Sequence, residues 1–187
     1  MVLLTGGAGV RFGAPKHMQE HPEGGSWASF LVDLFIGTLG AGPIRILGEP
    51  VPGRPDLLRV DDPREGPAKA LSRWAALELA RPDRWWVVAC DQVYWDAPSL
   101  EAWCGSAREA DPAGAAWVMP EIQGETQPLG GFLGTNLLPA VGRSSEHRLL
   151  ALARSLPSVV LPWTAAPFLD VDDPGAHERW LQERRRT

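Results

Sequence analysis

Only two cysteines occur in 187 residues, Cys90 and Cys104, 14 positions apart and without metal-ligand spacing around them. That count leaves no disulfide framework and no zinc module, and with no secretory leader in front it points to a reducing, cytoplasmic setting. Long hydrophobic runs are missing as well. Nothing approaches the roughly 18 apolar residues of a membrane span, and the opening Met-Val-Leu-Leu reads as a strand. Basic residues are outnumbered, 18 Lys and Arg against 23 Asp and Glu, for a net charge of −5. The longest basic run, Arg184 to Arg186, reads as a solvated helix end, so neither nucleic acid nor a membrane is an expected partner. Internal repeats, low-complexity tracts and linkers are lacking too, which predicts a single domain over residues 1–187.

What is present suits a packed α/β domain. With 44% hydrophobic residues the chain can bury a sizeable core, and its nine tryptophans are expected to fill that core and its grooves. Short apolar runs at residues 2–4, 43–47, 57–60, 85–89, 115–118 and 158–161 read as strands. Residues 26–39, 67–80, 98–110, 147–156 and 174–185 read as helices, several opened by Ser or Pro. The alternation predicts a doubly wound, mostly parallel sheet with right-handed crossovers on both faces. Ligands of such sheets collect outside the carboxyl ends of the strands. Four connections fall there: the glycine-rich loop after residue 4, "DDPREGP" at 61–67, "CDQVYWDAP" at 90–98 and "FLDVDDP" at 168–174.

The first loop, "LLTGGAGVRFGAPK", is built for an anion. Glycines let backbone N–H groups approach closely, and Arg11 and Lys16 add a fork and a point charge for phosphate oxygens. Gly7, Gly9 and Gly13 hint at a dinucleotide fingerprint, but the next helix waits until about Ser26 and no acidic residue closes a second strand at the required distance. A Walker A loop fails because Lys16 follows Pro15 and precedes His17.

The spacing of "TGGAGVRFGAPK" resembles the G-G-x-x-x-R-[MF]-G-x-x-K signature of the molybdenum cofactor guanylyltransferase (MobA-like) family of NTP transferases. Further landmarks follow in order along nearly the whole chain. Gly66-Pro67 resembles the family's G-P, Cys90-Asp91 its metal turn, "TQPLGGFL" its H-P-x-x-G strand with Gln127 in place of His, and "DVDDP" its closing N-[VI]-[ND]-T-P. The resemblance implies a nucleotide-diphospho-sugar transferase (Rossmann-like) fold. It also implies transfer of a nucleoside monophosphate, GMP from GTP, to the phosphate of molybdopterin, with pyrophosphate leaving. Leu4, Thr5, Gly6, Gly7, Lys16, Asp62, Gly66, Pro67 and Asp91 would bind the nucleotide, and Arg11, Lys16 and Asp91 would serve catalysis. Mg²⁺ is the implied cofactor. As a hard ion content with one or two carboxylates, it finds them in Asp91 and Asp172, with Asp170 as a neighbouring candidate.

Other readings of these residues stay open. Helix capping would also account for Asp91 and Asp172, and an ordinary turn for Asp61-Asp62-Pro63. The fold would equally serve another base or phosphorylated acceptor, or a module that binds nucleotide without turnover. The chain departs from the family where an Asn reads guanine, having Leu47 and Gly48 there, so backbone groups near Leu3 to Thr5 and Gly48 are the expected substitutes. His17 and His21 are expected to be exposed loop residues.

Overall fold

In the computed structural model, which describes residues 1–6 and 12–184, the sheet is laid out around strand β1 (Val2–Leu4), buried along its length. β1 pairs in parallel with β2 (Arg45–Leu47) on one side and β4 (Arg84–Ala89) on the other, and β2 pairs in parallel with β3 (Leu58–Val60). Beyond β4 the direction changes. β5 (Trp117–Ile122) forms a short hairpin with β6 (Glu125–Thr126), and the chain returns as β7 (Phe132–Gly134), inserted antiparallel between β4 and β5. β8 (Ser158–Pro162) closes the far side of β5 in parallel.

Helices cover both faces, as the alternation predicts. Along β4, Trp86 and Val88 face the helices α1 (Trp27–Leu39) and α3 (Ala97–Ala110), whereas Trp85 and Val87 face α2 (Pro67–Leu77), α4 (Leu138–Gly142) and α5 (Leu149–Arg154). The period-2 side-chain alternation thus feeds two cores, which is why these strands read as continuous apolar runs. Tryptophan fills them: eight of the nine are fully buried. Helix starts follow their capping signals. Ser26 and Ser29 form a reciprocal capping box for α1, Asp96 and Ser99 do so for α3, and Pro67 occupies the first turn of α2.

The mostly parallel sheet carries one antiparallel strand, β7, at its middle, because the nine residues 123–131 between β5 and β7 are too few for a helical crossover. Two expectations need correction. Helix α2 stops at Leu77 instead of Ala80 because Glu78 turns its carboxylate back to accept hydrogen bonds from Arg45 Nε (2.6 Å), Arg45 Nη2 (2.9 Å) and Trp74 Nε1 (2.8 Å). Among the described residues no helix is long and apolar enough to cross a membrane.

His17 and His21 are the other correction, since both are buried. His21 stacks on Phe30 with ring centroids 3.5 Å apart, and its Nδ1 accepts the N–H of Glu23. Around it a third cluster forms from Trp27, Val93, Val171 and Trp180, joined by Phe12 and His177, and it docks the final helix α6 (Pro174–Arg184). Burial and the nearby Arg184 guanidinium push the His21 imidazole down to about 4. A histidine whose folded value lies below its unfolded value of about 6.5 binds its proton more tightly in the unfolded chain, so stability falls as pH drops from about 6.5 toward 4. In an NMR titration the His21 ring should therefore hold its neutral shift from pH 8 down to about 5. A midpoint near 6.5 would contradict this placement.

Candidate functional site

The carboxyl ends of β1, β2, β3 and β4 open into a cleft of about 950 Å³. Its floor is where β1 and β2 end. Thr5 N–H donates to Leu47 O (2.9 Å) and its hydroxyl to Glu49 O (2.7 Å), so the side chain ties the two strand ends together. Gly48 has φ +119°, and a Cβ there would lie 2.5 Å from Gly6 N, so the position admits only glycine. The backbone is also committed: Gly6 N–H goes to Leu47 O, Gly48 N–H to Val60 O, and Gly48 O accepts Arg59 Nε at 2.6 Å. The expected use of backbone groups at Thr5 and Gly48 to read a base therefore meets groups already hydrogen-bonded within the protein.

From β3 the wall gains Asp62, whose Oδ1 accepts the N–H of Arg64 at 2.8 Å and whose Oδ2 lies against Gly6, so a Cβ at Gly6 would overlap it. Asp62 is thus both a turn residue and a cleft residue, and the two readings of "DDP" coexist. Gly66, at φ +98°, precedes Pro67 at the first turn of α2, and both border the cleft.

On the β4 side the cleft brings together residues far apart in sequence. Lys16 Nζ donates to Asp91 Oδ2 at 2.8 Å and to Asp172 Oδ1 at 2.6 Å. Burial works against the ammonium, yet the hydrogen bonds it donates to Asp172 and Asp91 and their negative charges outweigh it and raise its pKa, so Lys16 is held firmly protonated. The two segments are also joined through the backbone, with Val171 N–H donating to Asp91 O at 3.1 Å. Asp91 and Asp172 are not the caps of the neighbouring helices: Asp96 caps α3, and Asp173 Oδ1 accepts Ala176 N–H at the start of α6. Asp170 lies beside the pair. Surrounding packing and then the charges of Asp91 and Asp172 lift its carboxyl to about 7. Cys90, also on the wall, is a buried thiol pushed up by its burial and by Asp91, and so is no nucleophile.

A divalent ion fits the donors here. Carboxylate oxygens are what a hard cation takes, and the buried Asp91 Oδ1 has no hydrogen-bond partner among the described residues. The fit is to an open site of two carboxylates completed by phosphate and water, since no group of three or more metal-ligating side chains is gathered among the described residues. Arg11 and Gly7 lie outside the described residues. Leu4, Thr5, Gly6, Lys16, Asp62, Gly66, Pro67, Asp91 and Asp172 all line the one cleft, whereas Asp170, near enough to feel the charges of Asp91 and Asp172, does not line it. Sequence reasoning passed over Glu49, Arg59 and Arg73 on the same wall. Arg59 carried a usable signal, a lone cation inside a three-residue strand between Leu58 and Val60.

The family described as the MobA-like NTP transferase domain matches residues 1–159. Among solved structures, the fold is shared with molybdopterin-guanine dinucleotide biosynthesis protein A from Archaeoglobus fulgidus, at 14% identity and TM-score 0.73 over 100% of this chain and 98% of that one. It is shared too with Rv0371c from Mycobacterium tuberculosis H37Rv, at 15% identity and TM-score 0.71 over 97% and 96%, a protein also solved as a manganese complex. A third is 2-C-methyl-D-erythritol 4-phosphate cytidylyltransferase from Thermus thermophilus, at 12% identity and TM-score 0.63 over 98% of both chains. No curated protein matches the sequence.

Proposed function

This chain belongs to the MobA-like NTP transferase domain family, and on that premise we propose that it transfers GMP from GTP to the phosphate of a molybdopterin-type acceptor and releases pyrophosphate. The family makes it a nucleotidyltransferase acting on a nucleoside triphosphate. The observation that carries the reading is the Lys16 ammonium held between Asp91, just after β4, and Asp172, in the segment that leads into α6. Attack on an α-phosphate gathers negative charge on its oxygens, and fixed cations there lower the barrier most. Lys16, kept protonated by its two partners, presents such a charge in a part-buried position. Arg11 is proposed to add a second cation from the glycine-rich loop. Mg²⁺ held by Asp91 and Asp172 would supply Lewis-acid neutralisation of the triphosphate.

The rest of the wall holds the nucleotide. Leu4, Thr5 and Gly6 shape the floor, Gly7 is proposed to bind the nucleotide with them, and Asp62 faces the ribose side. Gly66 and Pro67, at the first turn of α2, border the same cleft and are proposed to contact the nucleotide there. The domain is proposed to span the whole chain, because Asp172 and the helix that follows it lie beyond the matched residues 1–159. The test is pyrophosphate release from each of the four ribonucleoside triphosphates, with Mg²⁺, with and without the molybdopterin acceptor. Release with GTP that depends on both is expected. Release only with CTP and a sugar or alcohol phosphate would overturn the substrate assignment.

A further inference from the structure

We infer that Trp180, on the last helix and beyond the residues that match the family, is a positioning residue of the metal site: its ring seats the segments that bring Lys16, Asp91 and Asp172 together. The inference rests on the nucleotidyltransferase reading of the same cleft. Asp91 and Asp172 both lie outside helices and strands, so neither is fixed by a strand ladder or a helical turn. Apolar neighbours hold them instead. Phe12 lies four residues before Lys16, Val93 two residues after Asp91 and Val171 directly before Asp172, and all three belong to the third core cluster. Val93 and Val171 are fully buried, and Phe12 packs on the cluster while lining the cleft.

Trp180 joins these anchors. Its fully buried ring lies with its centroid 5.8 Å from Trp27, edge to face, 5.7 Å from His177, 5.2 Å from His21 and 6.4 Å from Tyr94, the residue after Val93. Phe12 meets two of the same rings, Trp27 at 5.4 Å and His177 at 5.6 Å. The indole N–H groups of Trp27 and Trp180 have no partner among the described residues, so close packing seats these rings and not a hydrogen bond. On α6, His177, Trp180, Leu181 and Arg184 follow at three- and four-residue spacing and share one face. Arg184 ties the far end of that face to the loop after Asp91, donating through Nη2 to Val93 O (3.4 Å) and Trp95 O (3.3 Å) and through Nη1 to Glu23 Oε1 (2.6 Å). One helix thus begins just after Asp172 and packs on the loop that carries Asp91. Mg²⁺ asks for near-ideal octahedral geometry, so it tolerates little error in the spacing of two carboxylates, whereas the flexible Lys16 stem can follow either of them. A void at Trp180 is therefore felt by the metal before it is felt by the ammonium.

The probe is Mn²⁺, titrated into the protein with and without GTP and read from water-proton relaxation, which is enhanced when the ion is held by the protein. Trp180→Leu should weaken Mn²⁺ binding about tenfold or more, the range for residues that orient metal ligands. The Mg²⁺ concentration for half-maximal pyrophosphate release should rise by the same factor, with the rate at saturating Mg²⁺ largely kept. Leu138→Ala, a likewise buried truncation in α4 on the other face of the sheet, should lower the melting temperature and leave Mn²⁺ binding unchanged. Trp180→Phe, which keeps an aromatic ring, should fall between the leucine variant and the unaltered protein, and it decides the matter should the leucine variant not fold. Mn²⁺ affinity equal to that of the unaltered protein in the folded Trp180 variants overturns the inference, as does an equal loss of affinity in Leu138→Ala. An unaltered protein that binds no Mn²⁺, alone or with GTP, would instead remove the two-carboxylate reading, and the inference with it.

Discussion

Replacing Lys16 with alanine should lower pyrophosphate release by about 10²–10³-fold, the range typical of one preorganised stabiliser of transition-state charge. The same substitution should register in stability. Lys16 Nζ is the counter-ion of Asp91 and Asp172, whose side chains are 17% and 48% exposed. Without it the acidic group of Asp91, Asp170 and Asp172 is left to repel itself. The cost should be about 1–3 kcal/mol at pH 7, between the values for exposed and buried pairs. Because the folded-state pKa of Lys16 is raised, its contribution is complete below the unfolded value of about 10.4 and fades only as pH climbs through the higher folded value. The difference from the unaltered protein should thus persist to pH 9 and narrow on acidification, starting near pH 7 where Asp170 takes up its proton. Added Mg²⁺ should narrow it too. Urea unfolding of both proteins at pH 5 and pH 8, with and without Mg²⁺, measures all of this, and a fully active Lys16→Ala enzyme would remove the phosphate loop from the mechanism.

Asp91→Asn is expected to reverse that ranking, with turnover all but lost and stability held within about 1 kcal/mol. Asparagine keeps the size of the side chain and an acceptor for Lys16, and it removes one of three carboxylates gathered near a single ammonium. The relief of like-charge repulsion offsets much of the weakened ion pair. What the variant cannot replace is the anionic oxygen: Asp91 Oδ1 is buried without a partner among the described residues, and a neutral amide there is a poor ligand for a hard cation. Nucleotide with Mg²⁺ should raise the melting temperature of the unaltered protein and barely move that of the variant. Normal turnover in Asp91→Asn, indifferent to metal, would end the two-carboxylate assignment.

The sequence made five of the helices and the first four strands legible because their apolar runs and capping residues are local signals, as at Ser26, Pro67 and Asp96, whereas the short α4 gave no such signal. Periodicity did not mark β7, to which only the resemblance of "TQPLGGFL" to a family strand pointed, and its antiparallel place was not foreseen, because pairing direction depends on the length and path of a connection and not on side-chain pattern. Nor did the sequence reveal that His21 is buried. Polar residues in "HMQEHPEGG" suggest a solvated loop, and only the arrival of Trp180 from α6 turns His21 into a packed ring. Lys16, Asp91 and Asp172 were each identifiable by residue type and by their place after a strand. The meeting of all three on one ammonium was not, since it depends on Val171 being fixed against Asp91.

The two partners of Lys16 lie 75 and 156 residues further along the chain. During synthesis the lysine emerges early, gains its first partner only after β4, and waits for the second while the rest of the sheet is made. Its second carboxylate arrives only with the segment that leads into the last helix. Contacts of such sequence separation form late and slowly, because the intervening chain has to be ordered first. A nascent or C-terminally clipped chain can hence pack most of its tryptophans while the acidic pair is still incomplete, and competence for metal and nucleotide becomes a report on whether translation has reached Asp172.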